Sequence, residues 1–200
     1  MTQLTRDLNR LSVALENQNL PCFSMLQPGF TLDEIYSKIE SFDFNIPLEF
    51  YELYQWRNGV QYGDEDFCPI FLGYSFHSLE YAMDLYEDFL EQANRKHFSL
   101  DYEIWNPKWF PVFSCSEGGS LWSGEYLCTI GNDTDRDTSP LLSVCAEAAE
   151  VSVICPSSGN LISIVADCYE SGICCLHENC NISIETSRFN EIYGSTGLQL

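Results

Sequence analysis

The densest group of side chains able to bind a metal or act as nucleophiles lies near the C-terminus, in CYESGICCLHENC. It contains Cys168, Cys174, Cys175, His177 and Cys180 within thirteen residues. Thiolates with an imidazole suit Zn²⁺, but the stretch has no Cys-x-x-Cys pair. Cys168 falls on the apolar stripe of a predicted helix, and adjacent Cys174 and Cys175 would point to opposite sides of a strand. We therefore expect three buried thiols and one loop cysteine, with a zinc or redox role as the alternative.

The histidines and glycine-rich turns do not form the spacings typical of enzyme sites. His77, His97 and His177 stand in no His-x-x-x-His spacing, and the turn EGGS lacks the lysine of a phosphate-binding loop. A cysteine–histidine pair formed only in space would leave no sequence signature. We expect no catalytic residue, no metal and no cofactor, and a thiol- or metal-dependent enzyme is the least favoured function.

Acidic residues alternate in the stretch NDTDRD, where Asp133, Asp135 and Asp137 resemble the start of a calcium-binding loop. Such a loop needs glycine at its sixth position and glutamate at its twelfth, and both are missing here. A solvated polar loop is therefore the prediction for this segment.

The charge of the chain restricts its partners more than any single motif does. With 30 acidic and 9 basic residues, the formal net charge is −21, spread along the whole sequence. Such a surface repels nucleic acid and anionic membranes. It suits a basic protein partner, or it serves solubility alone.

Carboxylates can mimic a row of phosphates and steer a basic partner, and nearby aromatic side chains can anchor it. Four aromatic residues lie near acidic or polar stretches: Tyr62, Phe67, Trp105 and Trp122. Burial of these rings in the core is the alternative. The candidate partner-binding residues are polar or aromatic positions in predicted loops and turns: Arg57, Tyr62, Asp64, Glu65, Asp66 and Trp122.

The composition favours one globular domain without a membrane segment. The 200 residues are 45% hydrophobic, and no apolar run reaches the length of a transmembrane helix. The first residues, MTQLTRDLNRLSVALENQ, lack the apolar region of a secretory signal, so a cytoplasmic location is expected. The ten cysteines are accordingly interpreted as mostly reduced and buried. The oligomeric state is left open.

Three helices are predicted in the first sixty residues. Leucines at helical spacing mark the first helix: Leu4, Leu8, Leu11 and Leu15. TLDE at 31–34 is a capping box that begins the second, with Leu32, Ile35, Ile39 and Phe42 as its apolar face. PCFSMLQPG between them is interpreted as a linker.

The third helix lies in PLEFYELYQWRNGV, residues 47–60, with Pro47 in its first turn. Its aromatic face, with Leu48, Tyr51 and Tyr54 at helical spacing, is predicted to join the core. Asn58-Gly59 is predicted to end the helix in a left-handed turn after about three turns, leaving Arg57 and Asn58 exposed.

The remaining segments predict a strand, a long helix, a small sheet and two further helices. CPIFLGYSF reads as a strand, and Ser78 then caps a helix lined by Leu79, Met83, Tyr86, Leu90 and Ala93. WFPVFSC, GEYLCTIG, LLSVC and VSVIC are strand-like. SSGNLISIVADCYESG has helical spacing and ends at Gly172. ICCL is a short strand and SRFNEIYG a last helix. This order predicts an α+β fold with a small, mainly antiparallel sheet and helices on one side.

Three stretches in this order resemble the SUKH superfamily, also called the Smi/Knr cell-wall-assembly-regulator family. IPLEFYELYQWRNG resembles its Leu-Tyr helix that ends in Asn-Gly. LGYSFHSLEYAMDLYEDF resembles its strand leading into a Ser-Leu-Glu helix, and PKWFPVFSCSEGGSLWSGEYLC its Trp-x-Pro-Phe strand with a glycine turn. The resemblance spans roughly residues 25–170.

The resemblance implies a non-enzymatic protein-binding domain. Bacterial members of the family are often immunity proteins that neutralise a toxin, frequently a nuclease, and fungal members are regulatory interaction proteins. We expect residues 1–24 to form an N-terminal helical extension and residues 25–200 a single SUKH-like domain. An immunity protein against a basic toxin is the leading expectation, and an intracellular regulatory or scaffold protein of the same fold is the alternative.

Overall fold

The computed structural model describes residues 1–18, 21–60, 69–94, 105–115, 122, 124–177 and 181–194. The predicted α+β class is confirmed, with an antiparallel sheet at the centre. The helices are α1 (Gln3–Asn17), α2 (Pro21–Ser24), α3 (Leu32–Ile39), α4 (Leu48–Trp56), α5 (Leu79–Asn94), α6 (Ser158–Glu170) and α7 (Thr186–Tyr193). The strands are β1 (Leu26–Pro28), β2 (Arg57–Val60), β3 (Ser75–Phe76), β4 (Trp109–Ser114), β5 (Tyr126–Ile130), β6 (Leu141–Cys145), β7 (Glu150–Cys155), β8 (Cys174–Leu176) and β9 (Ile182–Ile184).

The central sheet is a meander with strand order β3-β4-β5-β6-β7, and every neighbouring pair is antiparallel. The predicted polar loop, residues 131–140, joins β5 to β6, and the predicted short turn, residues 146–149, joins β6 to β7. A parallel bridge between Val60 and His77 connects the β1–β2 pair to the β3 edge. β8 and β9 form a separate antiparallel hairpin.

Both ends of the chain contribute to the same core. All four leucines of the predicted α1 stripe are buried, and α1 packs against α6. Arg10 on α1 forms ion pairs with Asp7 on its own helix and with Asp167 and Glu170 on α6. The two helices are therefore joined by an apolar seam and by one guanidinium.

The predicted helix starts and stops are largely confirmed. Thr31 and Glu34 form the capping box at α3, and the Ser78 hydroxyl accepts a hydrogen bond from the Tyr81 N–H at the start of α5. The Ser157 side chain caps α6. Gly172, just past the end of α6, has a φ of 70°, the left-handed conformation that favours glycine.

The predicted aromatic helix is present as α4, but the end of this helix and part of its apolar face were predicted wrongly. Tyr51 and Tyr54 are buried as expected, whereas Leu48 is 47% exposed. The helix ends at Trp56, and the next residues enter β2 directly. Gly59 has the predicted positive φ, but inside a strand, where a Cβ atom would lie 2.1 Å from the His77 carbonyl oxygen. Strand pairing at this position overrides the local signal for a helix stop.

Three further segments differ from their predictions. The supposed linker contains α2 and β1, since backbone pairing with β2 orders residues that have no periodic pattern of their own. Of the described residues 69–76 of CPIFLGYSF, only Ser75–Phe76 is strand, because Leu72 and Gly73 turn with positive φ. On α5 the fully buried side is rotated from the predicted stripe and consists of Leu79, Ala82, Leu85, Tyr86 and Phe89.

Some predictions concern residues outside the described part of the chain. These are Tyr62, Asp64, Glu65, Asp66, Phe67, the glycine turn at 117–120, and Cys180. Within the described part, no helix is long and apolar enough to cross a bilayer.

Candidate interaction surface

The loop at residues 131–140 is held firmly against the start of α4. Pro47 has no side chain able to cap the helix, so the first N–H groups of α4 need other acceptors. The Leu48 N–H donates to the Arg136 carbonyl at 2.9 Å, and the Glu49 N–H donates to the Asp137 carbonyl at 3.1 Å. The loop thereby satisfies the helix terminus, and the helix in turn fixes the position of the loop.

Both ends of this loop are also tied down. Asn45 and Asn132 exchange two backbone hydrogen bonds of 2.7 and 2.8 Å. At the other end the buried Ser139 hydroxyl lies 2.8 Å from that of Thr129. The exposed carboxylates between these anchors, predicted as a solvated loop, belong to Asp133, Asp135 and Asp137.

Glu49 is a buried carboxylate that joins three elements. Its side chain is almost inaccessible, with 3% exposure. Oε1 accepts hydrogen bonds from the N–H groups of Ser139 and Ser158 at 3.1 and 3.2 Å, and Oε2 accepts one from Gly159 at 3.1 Å. Burial raises the pKa of Glu49, while the three N–H donors oppose that increase.

An acidic cavity of about 480 Å³ opens beside these groups, between α1, α4, the 131–140 loop and the start of α6. Four carboxylate residues are among its lining: Asp7, Glu49, Glu52 and Asp137. The carboxylates of Asp7, Glu49 and Glu52 already accept hydrogen bonds within the protein. Those of Glu52 come from the Thr2 and Thr5 hydroxyls. Glu52 and Asp137 give the cavity negative charge, which disfavours an anionic occupant.

Exposed apolar and aromatic groups lie beside this acidic region. Leu48 lines the cavity and is 47% exposed, and Tyr36 on α3 is exposed to the same extent. The Tyr36 ring packs against Tyr51 with a centroid distance of 4.9 Å. Burial raises the pKa of Tyr51 to about 12, and nearby Tyr36 and Asp135 add to the increase. Anchoring contacts and negative charge are thus combined on one surface.

A second, wider groove of about 800 Å³ runs along α1 and α6. Arg6, Arg10 and Glu170 all line it, so charges of both signs meet there. It complements a basic partner less well than the acidic cavity does, although it is the larger of the two.

The predicted partner-binding residues lie apart from the acidic cavity where the structure describes them. Arg57 is half-buried in β2, with its guanidinium 5.2 Å from the ring centroid of Phe23 and 5.8 Å from that of Trp56. Trp122 is half-buried, and neither it nor Arg57 lines the cavity. Asn58, predicted to be exposed, is buried: it accepts the Leu79 N–H at 2.8 Å and donates to Glu80. Trp105 belongs to the core at 4% exposure.

The described cysteines near the C-terminus include both buried and exposed side chains. Cys168 and Cys174 are completely buried and their thiols are hydrogen-bonded to each other, whereas Cys175 is exposed. The opposite orientation of Cys174 and Cys175 is as predicted, but the expectation that Cys175 is buried was wrong. The Nε2 atom of His177 lies 2.9 Å from the hydroxyl oxygen of Ser183. Among the described residues, no group of three His, Cys, Asp or Glu side chains is placed to hold a metal ion.

Comparison with models of known protein families gives no match, and comparison with curated proteins gives none either. The resemblance to the SUKH superfamily therefore stays a prediction based on the three sequence stretches.

Proposed function

We propose that this chain is a SUKH-type protein-binding domain whose partner is a basic protein. The carrying observation is a cavity lined by carboxylates and bordered by an anchored loop, with the exposed side chains of Leu48 on α4 and Tyr36 on α3 beside it. A lysine or arginine of the partner would enter the cavity, and Leu48 and Tyr36 would supply apolar contact around it. The net charge of −21 would accelerate association with such a partner.

The most specific form of this proposal is an immunity protein that neutralises a nuclease-type toxin. A nuclease must bind phosphates, so its active site is basic, and a row of carboxylates can occupy it. Asp135 and Asp137 are exposed carboxylates on the anchored loop, and Asp133, also exposed, is paired with Lys108 at one end of the loop. A regulatory or scaffold protein of the same fold would use the same surface for a different partner.

The proposal is tested by capture from the lysate of the host at low salt, followed by elution with a salt gradient and mass spectrometry. One basic protein, released as salt rises, is expected because screening weakens charge attraction. Several unrelated proteins, or none, would favour the regulatory alternative instead.

Matched variants locate the surface. The triple variant Leu48→Ser, Asp135→Asn, Asp137→Asn should lose the captured protein. The control Val13→Ser, Asp84→Asn, Glu87→Gln removes one exposed apolar group and two exposed carboxylates elsewhere, on α1 and α5, and should retain it. Equal capture by both variants would contradict binding at the acidic cavity.

A further inference from the structure

The two edges of the central sheet differ in whether another strand can be added. Beyond β3, the Val60–His77 bridge leads to β2 and then to β1, which is three residues long and contains Pro28. Proline lacks the N–H group that strand pairing requires, so that edge is blunted. At the other end, β7 pairs only with β6 within the described part of the chain.

β7 has the properties of an accessible edge. It is six residues long, and four consecutive residues, Glu150 to Val153, are exposed. Val151 is 48% exposed and Val153 58%. Edge strands usually avoid added strands with lysine, proline or a bulge, and β7 contains neither lysine nor proline. Its irregularity lies at the far end, opposite Leu141 and Leu142.

The side chains of β7 also determine what kind of strand fits. Successive residues of a strand face opposite sides, so Val151 and Val153 share one face while Glu150 and Ser152 share the other. Their cross-strand neighbours on the valine face, Val144 and Leu142, are buried. An added strand would extend the apolar face with β-branched residues and place basic residues beside Glu150.

We propose that β7 binds an extended segment of a basic protein by strand addition, in which β-branched and basic residues alternate. Backbone hydrogen bonds would supply affinity, and the alternation would supply specificity. A second copy of this chain fits less well, because each copy carries a net charge of −21 and the two would repel. The inference rests on the proposed function for the basic partner and adds a second contact surface and its binding mode.

The test uses a fluorescent peptide of alternating valine and lysine, titrated with the full chain at low salt and followed by anisotropy. Binding is expected. A peptide of the same sequence with every amide N-methylated keeps its charge but cannot pair as a strand, and should bind at least about tenfold more weakly. Val151→Lys with Val153→Lys should weaken binding of the unmodified peptide at least as much. The matched control Val13→Lys with Ile192→Lys changes the charge equally at exposed sites on α1 and α7 and should bind like the wild type.

Several results would overturn the inference. An absence of binding would refute the inference. Equal binding of the N-methylated peptide, or equal loss of binding in both double variants, would show that general charge attraction alone accounts for the binding. A wild-type dimer in light scattering that the Val151→Lys, Val153→Lys variant dissociates would assign the edge to a second copy instead.

Failure of the inference is distinguishable from failure of the proposed function. If wild type and the β7 double variant capture a basic protein equally, the proposed function is retained and strand addition at β7 is refuted. If peptide binding requires the β7 valines but no basic protein is captured, strand addition at β7 is retained and the proposed function is refuted.

Discussion

The Oε2 atom of Glu49 accepts a hydrogen bond from the Gly159 N–H at 3.1 Å, across 110 positions of sequence. The first turns of α4 and α6 are joined by this contact. N–H groups in the first turn of a helix have no partner within the helix and attract negative charge. Glu49 therefore completes the start of α6 while it also holds the loop of the candidate interaction surface through Ser139.

Replacing Glu49 should destabilise the protein strongly. Glu49→Ala leaves three N–H donors without their acceptor, and we expect the free energy of unfolding to fall by about 2–4 kcal/mol. Glu49→Gln keeps one acceptor oxygen and should lie between alanine and wild type. Urea unfolding measures both. Glu147→Gln, at an exposed glutamate, serves as the control and should stay within about 0.5 kcal/mol of wild type.

The His77 side chain should make stability depend on pH. It is 2% exposed, its Nε2 has no hydrogen-bond partner among the described residues, and burial lowers its pKa from 6.5 to about 3. Between these values the unfolded chain binds a proton that the folded chain does not, so stability falls as pH falls from 6.5 toward 3.

His77→Gln removes this proton-linked contribution. Relative to the variant, wild type should lose about 2–3 kcal/mol between pH 7 and about pH 4.5, at 1.36 kcal/mol per pKa unit. Urea unfolding at the two pH values measures the difference. Parallel pH dependence of wild type and variant would show that His77 is not the responsible group.

Arg10 should stabilise the contact between α1 and α6 mainly through Asp7. The Asp7 side chain has no exposed surface and lies 2.8 Å from the guanidinium, whereas Asp167 and Glu170 are 42% and 44% exposed. Loss of a partner from a buried charge is costly, while exposed ion pairs contribute little. Arg10→Met should lower the free energy of unfolding by about 2–4 kcal/mol.

A double-mutant cycle isolates the Asp7 contribution. In an Asp7→Asn background, Arg10→Met should cost clearly less, because no buried charge is then left unpaired. Arg188→Met, at an exposed pair 3.8 Å from Glu185, is the comparison and should cost under about 1 kcal/mol. Identical costs of Arg10→Met in both backgrounds would refute the assigned role of Asp7.

The cysteines should separate into two classes in thiol labelling. Cys115 and Cys175 are exposed and should react under native conditions, whereas Cys128, Cys168 and Cys174 are fully buried and should react only after unfolding. Peptide mapping by mass spectrometry assigns each labelled site. Native labelling of Cys168 or Cys174 ahead of Cys175 would contradict the inward position of the buried pair.

Local signals in the sequence were sufficient for most helix boundaries and for the later strands. Thr31, Ser157 and Gly172 act on neighbouring residues through capping and left-handed φ, so their effect is visible in a short window. The leucines of α1 and the apolar positions of α6 repeat at helical spacing because each helix buries one side. The α+β class follows from the order of these elements.

Long-range pairing determined the features that were predicted wrongly or missed. β1 exists because β2 pairs with it, and Asn58-Gly59 lies in a strand because Val60 bridges to His77. The acidic cavity depends on Glu49 reaching Ser139 and Gly159, and within the described part of the chain β7 is an edge strand because it is last in the strand order. The sequence by itself determined the acidic charge, most of the helices and the capping residues Thr31, Ser78 and Ser157. Only the tertiary structure decided which carboxylates share a cavity and which strands form the edges of the described sheet, because those relationships join residues about a hundred positions apart or depend on the order of the strands.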